Sequence, residues 1–392
     1  MWDVIFSSVE FQMSLLLFVA LGSYLLASKI NQSVIVCIIF AGLFIGPSAL
    51  GLVTYTDFVR NIASLGAVVL LFVMGLEFKA VDIFKWKYAL IALIGVILPW
   101  IGGYVAAKLF GYSFVTSVFV GTALTATSIA ITANVLKEMN KLQSDVAKAI
   151  IGAAVIDDVL GLLVLSISQQ VVTSNFAFFS IFFIFIKALL FVVIGVIIGS
   201  LYLSKIVKKI DGSVLAQKYP ETIFIFAMMV AFLYALFSQA IGLSSIIGAF
   251  IAGISLEGVV IRKGKDYRQG AEYLQIIFAS IFFISLGILA DIHVITWGIL
   301  LFLSVLTIIA VCTKVIGCYI PARLQNISKR DSLAIGFGMT PRGEVAMIVA
   351  LIGLNAGLIT QNIYVSLIFM SLLTTMLTPI ILRNWFFKNK LV

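Results

Sequence analysis

Long apolar runs, each closed by a short polar or turn-forming stretch, recur from one end of the chain to the other. A helix needs roughly 20 apolar residues to cross a bilayer. On that measure the runs predict thirteen spans, at 11–28, 32–50, 61–78, 87–109, 114–135, 145–170, 176–204, 220–241, 243–258, 271–290, 296–320, 330–353 and 361–383. Asn31, Asp57, Gly111, Asn140, Asn175, the Asp211–Gly212 pair ahead of Pro220, Gly242 and Asn326 supply turn signals between them. The pattern predicts an all-α polytopic membrane protein. Spans 1–6 and 8–13 make two sets of six joined by the long span 7, which would insert the second set upside down relative to the first.

Composition removes the soluble alternatives. Of 392 residues, 62% are apolar and 11% charged, against about 25% charged in a soluble domain. Cys37, Cys312 and Cys318 sit in apolar runs without metal-site spacing and read as packed thiols. A single histidine, His293, near a helix end argues against a histidine metal cluster or pH sensor. The N-terminal stretch carries Asp3 and Glu10 and no basic segment, so no cleaved signal is expected.

The net charge of +9 reads as a topology signal, and nucleic acid need not be invoked as a partner. One alternate set of loops, with the C-terminal tail, holds 21 of the 26 Lys and Arg residues. These include Lys79, Lys85 and Lys87; Lys205, Lys208, Lys209 and Lys218; Arg262, Lys263, Lys265 and Arg268; and Lys388 and Lys390. The opposite loops hold only Arg60 and Lys108. By the positive-inside rule the N-terminus faces out and the C-terminus faces the cytoplasm, in a cell membrane of cytoplasmic type.

Six charges remain inside the spans. Lys187, Lys314 and Arg342 are the cations; Asp157, Asp158 and Glu344 are the acids. A charge at membrane depth costs several kcal/mol unless paired or hydrated, so such residues mark ion or proton pathways. Asp157 and Asp158 are neighbours on one helix, about 100° apart. One pocket cannot hold both alike, so we expect one to carry an ion and the other to meet a lysine. Lys314 lies too deep for an ordinary interfacial anchor and either snorkels or pairs with Asp157. Lys187 has no motif around it.

The fifth members of the two sets match. Span 5 reads Gly121-x-x-x-Thr125-Ala126-Thr127-Ser128, and span 12 reads Gly336-x-x-x-Thr340-Pro341-Arg342-Gly343-Glu344. The span 5 hydroxyls, Thr132 included, either back-bond to their own helix or line an unwound segment whose carbonyls coordinate a monovalent cation. Pro341 removes an N–H and clashes one turn back, and Gly343 tolerates the resulting backbone. Arg342 either compensates partial charge where the broken helices cross or pairs with Glu344. Span 2, with Gly42 and Gly46, and span 9, with Gly248 and Gly253, carry small residues that let helices approach closely.

These strings resemble the monovalent cation:proton antiporter-2 family of sodium/proton antiporters. AAVIDDVLGLLVL, ALTATSIAIT and GMTPRGEVAMIVA carry the resemblance, with Ile45-Gly46-Pro47 and Gly75-Leu76-Glu77-Phe78, and it covers essentially the whole chain. It implies a homodimer with a dimerisation domain at 1–78 and 220–290 (helices 1–3 and 8–10). The core ion-transport domain would be 87–170 and 296–383 (helices 4–6 and 11–13), with linker helix 176–204 and an elevator-like movement. Asp158 matches the ion- and proton-binding aspartate, and Asp157 the aspartate that pairs with the span 11 lysine, here Lys314. Thr127 and the Ala126 backbone match the span 5 part of the ion site; Arg342 and Glu344 match charged positions of the second broken helix. Ala154 stands where some relatives carry a serine, so a water would replace that hydroxyl. The chain stops nine residues after Arg383, and the nucleotide-binding domain of the potassium-efflux branch is not expected.

The expected function is exchange of a monovalent cation, Na+ with Li+ or K+ as alternatives, for protons. The cation and the proton are cargo, and no cofactor is expected. The lysine-plus-two-aspartate pattern favours electrogenic exchange. A potassium/proton antiporter and a sodium-coupled organic-anion carrier are the alternatives. A channel lacks a reason for interrupted helices around a deep charged pair, and no nucleophile–base set suggests an enzyme.

Overall fold

Apolar sequence with few helix-breaking residues can satisfy its backbone inside a bilayer only as helix or closed barrel, and this chain takes the first route. The computed structural model describes residues 8–30, 33–83, 85–173, 178–259, 261, 266–289, 293 and 296–387. Asp3, Asn31, Asn175, Arg262, Lys263, Lys265, Lys388, Lys390 and the side chain of Glu344 lie outside what is described. Among the described residues every regular element is helical. In chain order the principal helices are α1 (Val9–Ile30), α2 (Val34–Ile45), α3 (Asp57–Gly75), α4 (Trp86–Leu109), α5 (Phe114–Thr125), α6 (Ile129–Glu138), α7 (Asp145–Thr173) and α8 (Phe178–Ile198). They continue with α9 (Thr222–Ala240), α10 (Ser245–Leu256), α11 (Tyr267–Ile288), α12 (Trp297–Leu324), α13 (Lys329–Gly338), α14 (Glu344–Asn355) and α15 (Gln361–Ile381). Nine stretches among the described residues are long and apolar enough to cross a membrane, with shorter apolar helices between them.

The turn residues act largely as their types dictate. Gly111, Asn140, Gly242 and Asn326 all hold positive φ, at 80°, 53°, 92° and 62°, where glycine and asparagine are favoured. Asp57 differs: it opens α3, where its carboxylate pairs with Arg60 at 2.9 Å and complements the helix N-terminus. Pro321 lies within α12, which runs on to Leu324. The apolar run beginning in α8 also outlasts its predicted end. It passes through a π-helical turn, Gly199–Leu203, into the basic amphipathic helix Ser204–Asp211.

Close contacts divide the chain into two compact units. The first comprises residues 1–56, 85–181 and 283–392; the second comprises 57–84 and 182–282. In the first, α2 and the end of α11 touch backbone to backbone: a Cβ added at Gly287 would lie 2.6 Å from the Leu43 nitrogen and 2.9 Å from the Gly42 carbonyl carbon. In the second, α3 and α10 meet at Gly75 and Gly253, where a Cβ on Gly253 would lie 2.8 Å from the Gly75 Cα. Without side chains at these points the helices gain van der Waals contact over their whole crossing. The first unit also packs α4 along α12 and sets α5, α7 and α15 around them.

Candidate functional site

The site grows from two helix breaks in the first unit. α5 stops at Thr125, Ala126 is extended at φ −59° and ψ 139°, and α6 restarts at Ile129 after Ser128. α13 stops at Gly338, and α14 restarts at Glu344 behind Gly343, which has φ −129° and ψ −148°. The two breaks meet: the Ser128 N–H donates to the Pro341 carbonyl at 2.8 Å.

Each broken end leaves carbonyls with no partner along its own helix, and at both breaks other side chains take them up. At the α13 end, the Thr132 hydroxyl donates to the Gly338 carbonyl at 2.6 Å and the Thr127 hydroxyl to the Met339 carbonyl at 3.3 Å. Those two threonines therefore bridge the breaks, whereas Thr122 and Thr125 back-bond to Val118 and Thr122. At the α5 end the partners are cations. Lys314 Nζ donates to the Thr125 carbonyl at 2.9 Å, and Arg342 Nη1 donates to the Ala126 carbonyl at 2.8 Å. Two positive charges thus stand at the negative end of the α5 dipole.

Lys314 also reaches one of the two adjacent aspartates. Its Nζ lies 2.7 Å from Asp157 Oδ1, and both side chains are 0% exposed. Arg342, equally buried, lies close enough to Asp157 to interact electrostatically. Asp158, one residue on, is partly exposed. Snorkelling by Lys314 is excluded by this geometry. For Arg342, the bonds are to Ala126 and, at 3.5 Å, to the Ala310 carbonyl, which make it a brace across the break. Lys187 is exposed, with its ammonium 4.3 Å from the centre of the Phe183 ring. Ala154 is buried.

Sequence reading missed several contributors. Thr375 of α15 donates to the Arg342 carbonyl at 2.6 Å and so holds the second break from behind. The Ser371, Thr374, Thr375 and Thr378 cluster in span 13 was the available signal. Gly95 of α4 was also missed. A Cβ there would sit 2.8 Å from Cys318 Sγ and 4.0 Å from Lys314 Nζ, so the glycine lets α12 close on α4 with the lysine in place. Gly95→Ala is expected to lower stability by about 1–3 kcal/mol, the usual cost of overpacking. Adding Cys318→Ala removes the clashing sulfur and is expected to recover most of it. Thermal unfolding midpoints of the two variants in detergent check this.

The lysine–aspartate pair thus lies beside two interrupted helices that meet at Ser128 and Pro341. The family profile described as sodium/hydrogen exchanger, transmembrane, matches residues 15–388. The chain belongs to the sodium/hydrogen exchanger family. Among relatives of this family, the chain is 29% identical over 381 residues to the Na(+)/H(+)-K(+) antiporter GerN of Bacillus cereus, covering 96% of both chains. It is 31% identical over 353 residues to a Na(+)/H(+) antiporter of Enterococcus hirae, covering 88% of this chain and 89% of the relative. Among solved structures, the sodium proton antiporter MjNhaP1 from Methanocaldococcus jannaschii superposes with a TM-score of 0.73 at 16% identity, over 96% of each chain. That likeness speaks for the fold. The sodium/hydrogen exchanger family is one of monovalent cation:proton antiporters, and membership makes this chain an ion-transporting membrane protein.

Proposed function

We propose that the protein exchanges Na+ for protons across the cytoplasmic membrane, with Asp158 as the carboxylate that binds either a proton or the cation. The observation that carries this reading is the asymmetry of the aspartates. Asp157 is sealed and held by Lys314, while its neighbour Asp158 is partly exposed. Thr127 and the Ala126 carbonyl, at the break alongside, supply neutral oxygens of the kind that replace a monovalent cation's hydration shell. Arg342 and Glu344 balance charge on the second broken helix.

Competition for one carboxylate makes exchange obligatory if only the loaded, nearly neutral site can cross. One pH unit supplies about 1.4 kcal/mol per proton, enough to move a cation against about a tenfold gradient. If Lys314 releases its proton as the cation arrives, two protons travel per cation. Transport then also feels about 2.3 kcal/mol per 100 mV.

The crossing, in this reading, is an elevator-like movement of a core (87–170 and 296–383) against a scaffold (1–78 and 220–290) that also forms a homodimer, with 176–204 as linker. The compact units partition the chain differently, placing residues 1–56 with the core helices; contact density in one conformation does not define which helices move together. Counting α5 with α6 and α13 with α14 as single interrupted spans makes thirteen, which this reading takes as two inverted repeats joined by span 7, with the N-terminus outside. The glycine contacts support it: spans 2 and 10 meet in one unit, and their repeat counterparts, spans 9 and 3, meet in the other.

The test is wild-type protein in liposomes carrying an internal pH dye, challenged with Na+, Li+ or K+. Cation-triggered proton movement supports exchange and ranks the ions. Silence with all three, together with uptake of a labelled organic anion, would favour the carrier alternative. The competition also fixes a sign. Lowering pH through the range in which Asp158 takes up its proton is expected to raise the apparent KM for Na+, by up to about tenfold per pH unit, with little change in kcat. A KM independent of pH would contradict a shared site.

A further inference from the structure

In the second unit, where α10 ends and the π-helical turn Gly199–Leu203 leads into Ser204–Asp211, lies a cavity of about 290 Å³. The side chains of Lys79 and Lys208 line it, with Ser200, Ser204, Ser255 and Glu257. Among the described residues neither lysine has an ion-pair partner. The three serine hydroxyls donate to carbonyls one turn back in their own helices, to Val196, Ser200 and Ile251. The ammonium groups are therefore the donors that remain for a ligand. Two lysines against one carboxylate leave the lining with a net positive charge, which suits an anion.

The rim narrows the choice of anion. Val81 lines the cavity and is 74% exposed, giving it an apolar edge. Lys205 and Lys209 share the short helix Ser204–Asp211 and strengthen the positive field. A cationic cavity with an apolar rim matches an amphiphile, whereas a free phosphate would leave the apolar rim in water. In the proposed topology these lysine-rich segments face the cytoplasmic leaflet, where anionic lipids attract basic side chains. A π-turn is also a common device for opening a functional site within a helix. Here Gly199, the first residue of that turn, lies against Ser255, and a Cβ on it would collide with the serine side chain.

We propose that this cavity binds the phosphate of an anionic phospholipid, held between Lys79 and Lys208, with acyl chain lying against Val81. The bound lipid ties the segment after α3 to the foot of α8.

The test uses the full-length protein in neutral detergent, titrated with phosphatidylglycerol, phosphatidylcholine or inorganic phosphate while its thermal midpoint is followed. Phosphatidylglycerol is expected to raise the midpoint and phosphatidylcholine to do so much less. Lys79→Gln/Lys208→Gln is expected to weaken the phosphatidylglycerol response by about 25-fold in concentration, about fivefold for each lysine at a membrane surface. Lys205→Gln/Lys209→Gln removes the same charge from side chains that do not line the cavity and is expected to keep most of the response. Glu257→Gln removes the opposing carboxylate and is expected to strengthen it, which supplies a reading if the double lysine variant fails to fold. Equal losses in both lysine pairs would show diffuse surface attraction and overturn the site. An unchanged response in Glu257→Gln would do the same. An equal shift with inorganic phosphate would overturn the lipid assignment.

Discussion

Asp158→Asn is expected to abolish cation-driven proton movement in liposomes while leaving a folded protein. The asparagine keeps the size of the side chain but can neither take up a proton nor present a full negative charge to a cation. Both halves of the exchange therefore fail together. Loss is expected to reach the detection limit for Na+, Li+ and K+ alike, because the carboxylate is common to every cargo. The partial exposure of Asp158 predicts a smaller stability effect than at the fully buried Asp157. Activity surviving in this variant would keep the antiporter and move the ion site to another residue, with Asp157 the first to examine.

The second large effect concerns stability. Lys314 and Asp157 are bonded at 2.7 Å and fully sealed, so removing one partner leaves a bare charge in a site that water does not reach. Breaking a buried pair in this way costs about 3–5 kcal/mol, whereas replacing both partners is far less damaging. Asp157→Asn and Lys314→Gln are each expected to lower the thermal midpoint steeply, and the double variant to recover much of the loss. Lys314→Gln carries a further reading, since Lys314 also holds the Thr125 carbonyl. If the lysine carries a proton, transport in any variant that still folds should lose its dependence on membrane voltage. Voltage dependence that persists would make Lys314 a brace for Asp157 and the α5 end. Single variants as stable as the wild type would mean that the pair contributes nothing net.

The sequence made the pair and the breaks legible because charges in an apolar run and a proline–glycine string in a helix are both costly there. Asp157, Lys314 and Pro341 could be singled out for that reason, whereas Ala126 was named only through the family resemblance. What stayed hidden involves partners that leave no side-chain signature. The carbonyls of Thr125 and Ala310 accept from Lys314 and Arg342, and any residue type offers a carbonyl. The fate of each hydroxyl was equally unreadable: Thr125 back-bonds while Thr127, two residues on, reaches the other break, a difference set by where α5 stops. The bounds of α4 and α15 followed the apolar pattern, whereas α2 stops at Ile45, short of the predicted residue 50. The continuation beyond residue 204 did not follow it, because Ser204–Asp211 is amphipathic where α8, Lys187 and Ser180 apart, is apolar.

Competition between proton and cation at one carboxylate is the central claim, and proton release on cation binding tests it most directly. Purified protein in weakly buffered detergent, held at a pH where the site is largely protonated, would receive Na+ while a pH indicator reads the solution, with Asp158→Asn as the blank. A saturable release of at least one proton per site, absent from the variant, is the expected result. Saturable Na+ binding with no proton released would contradict it.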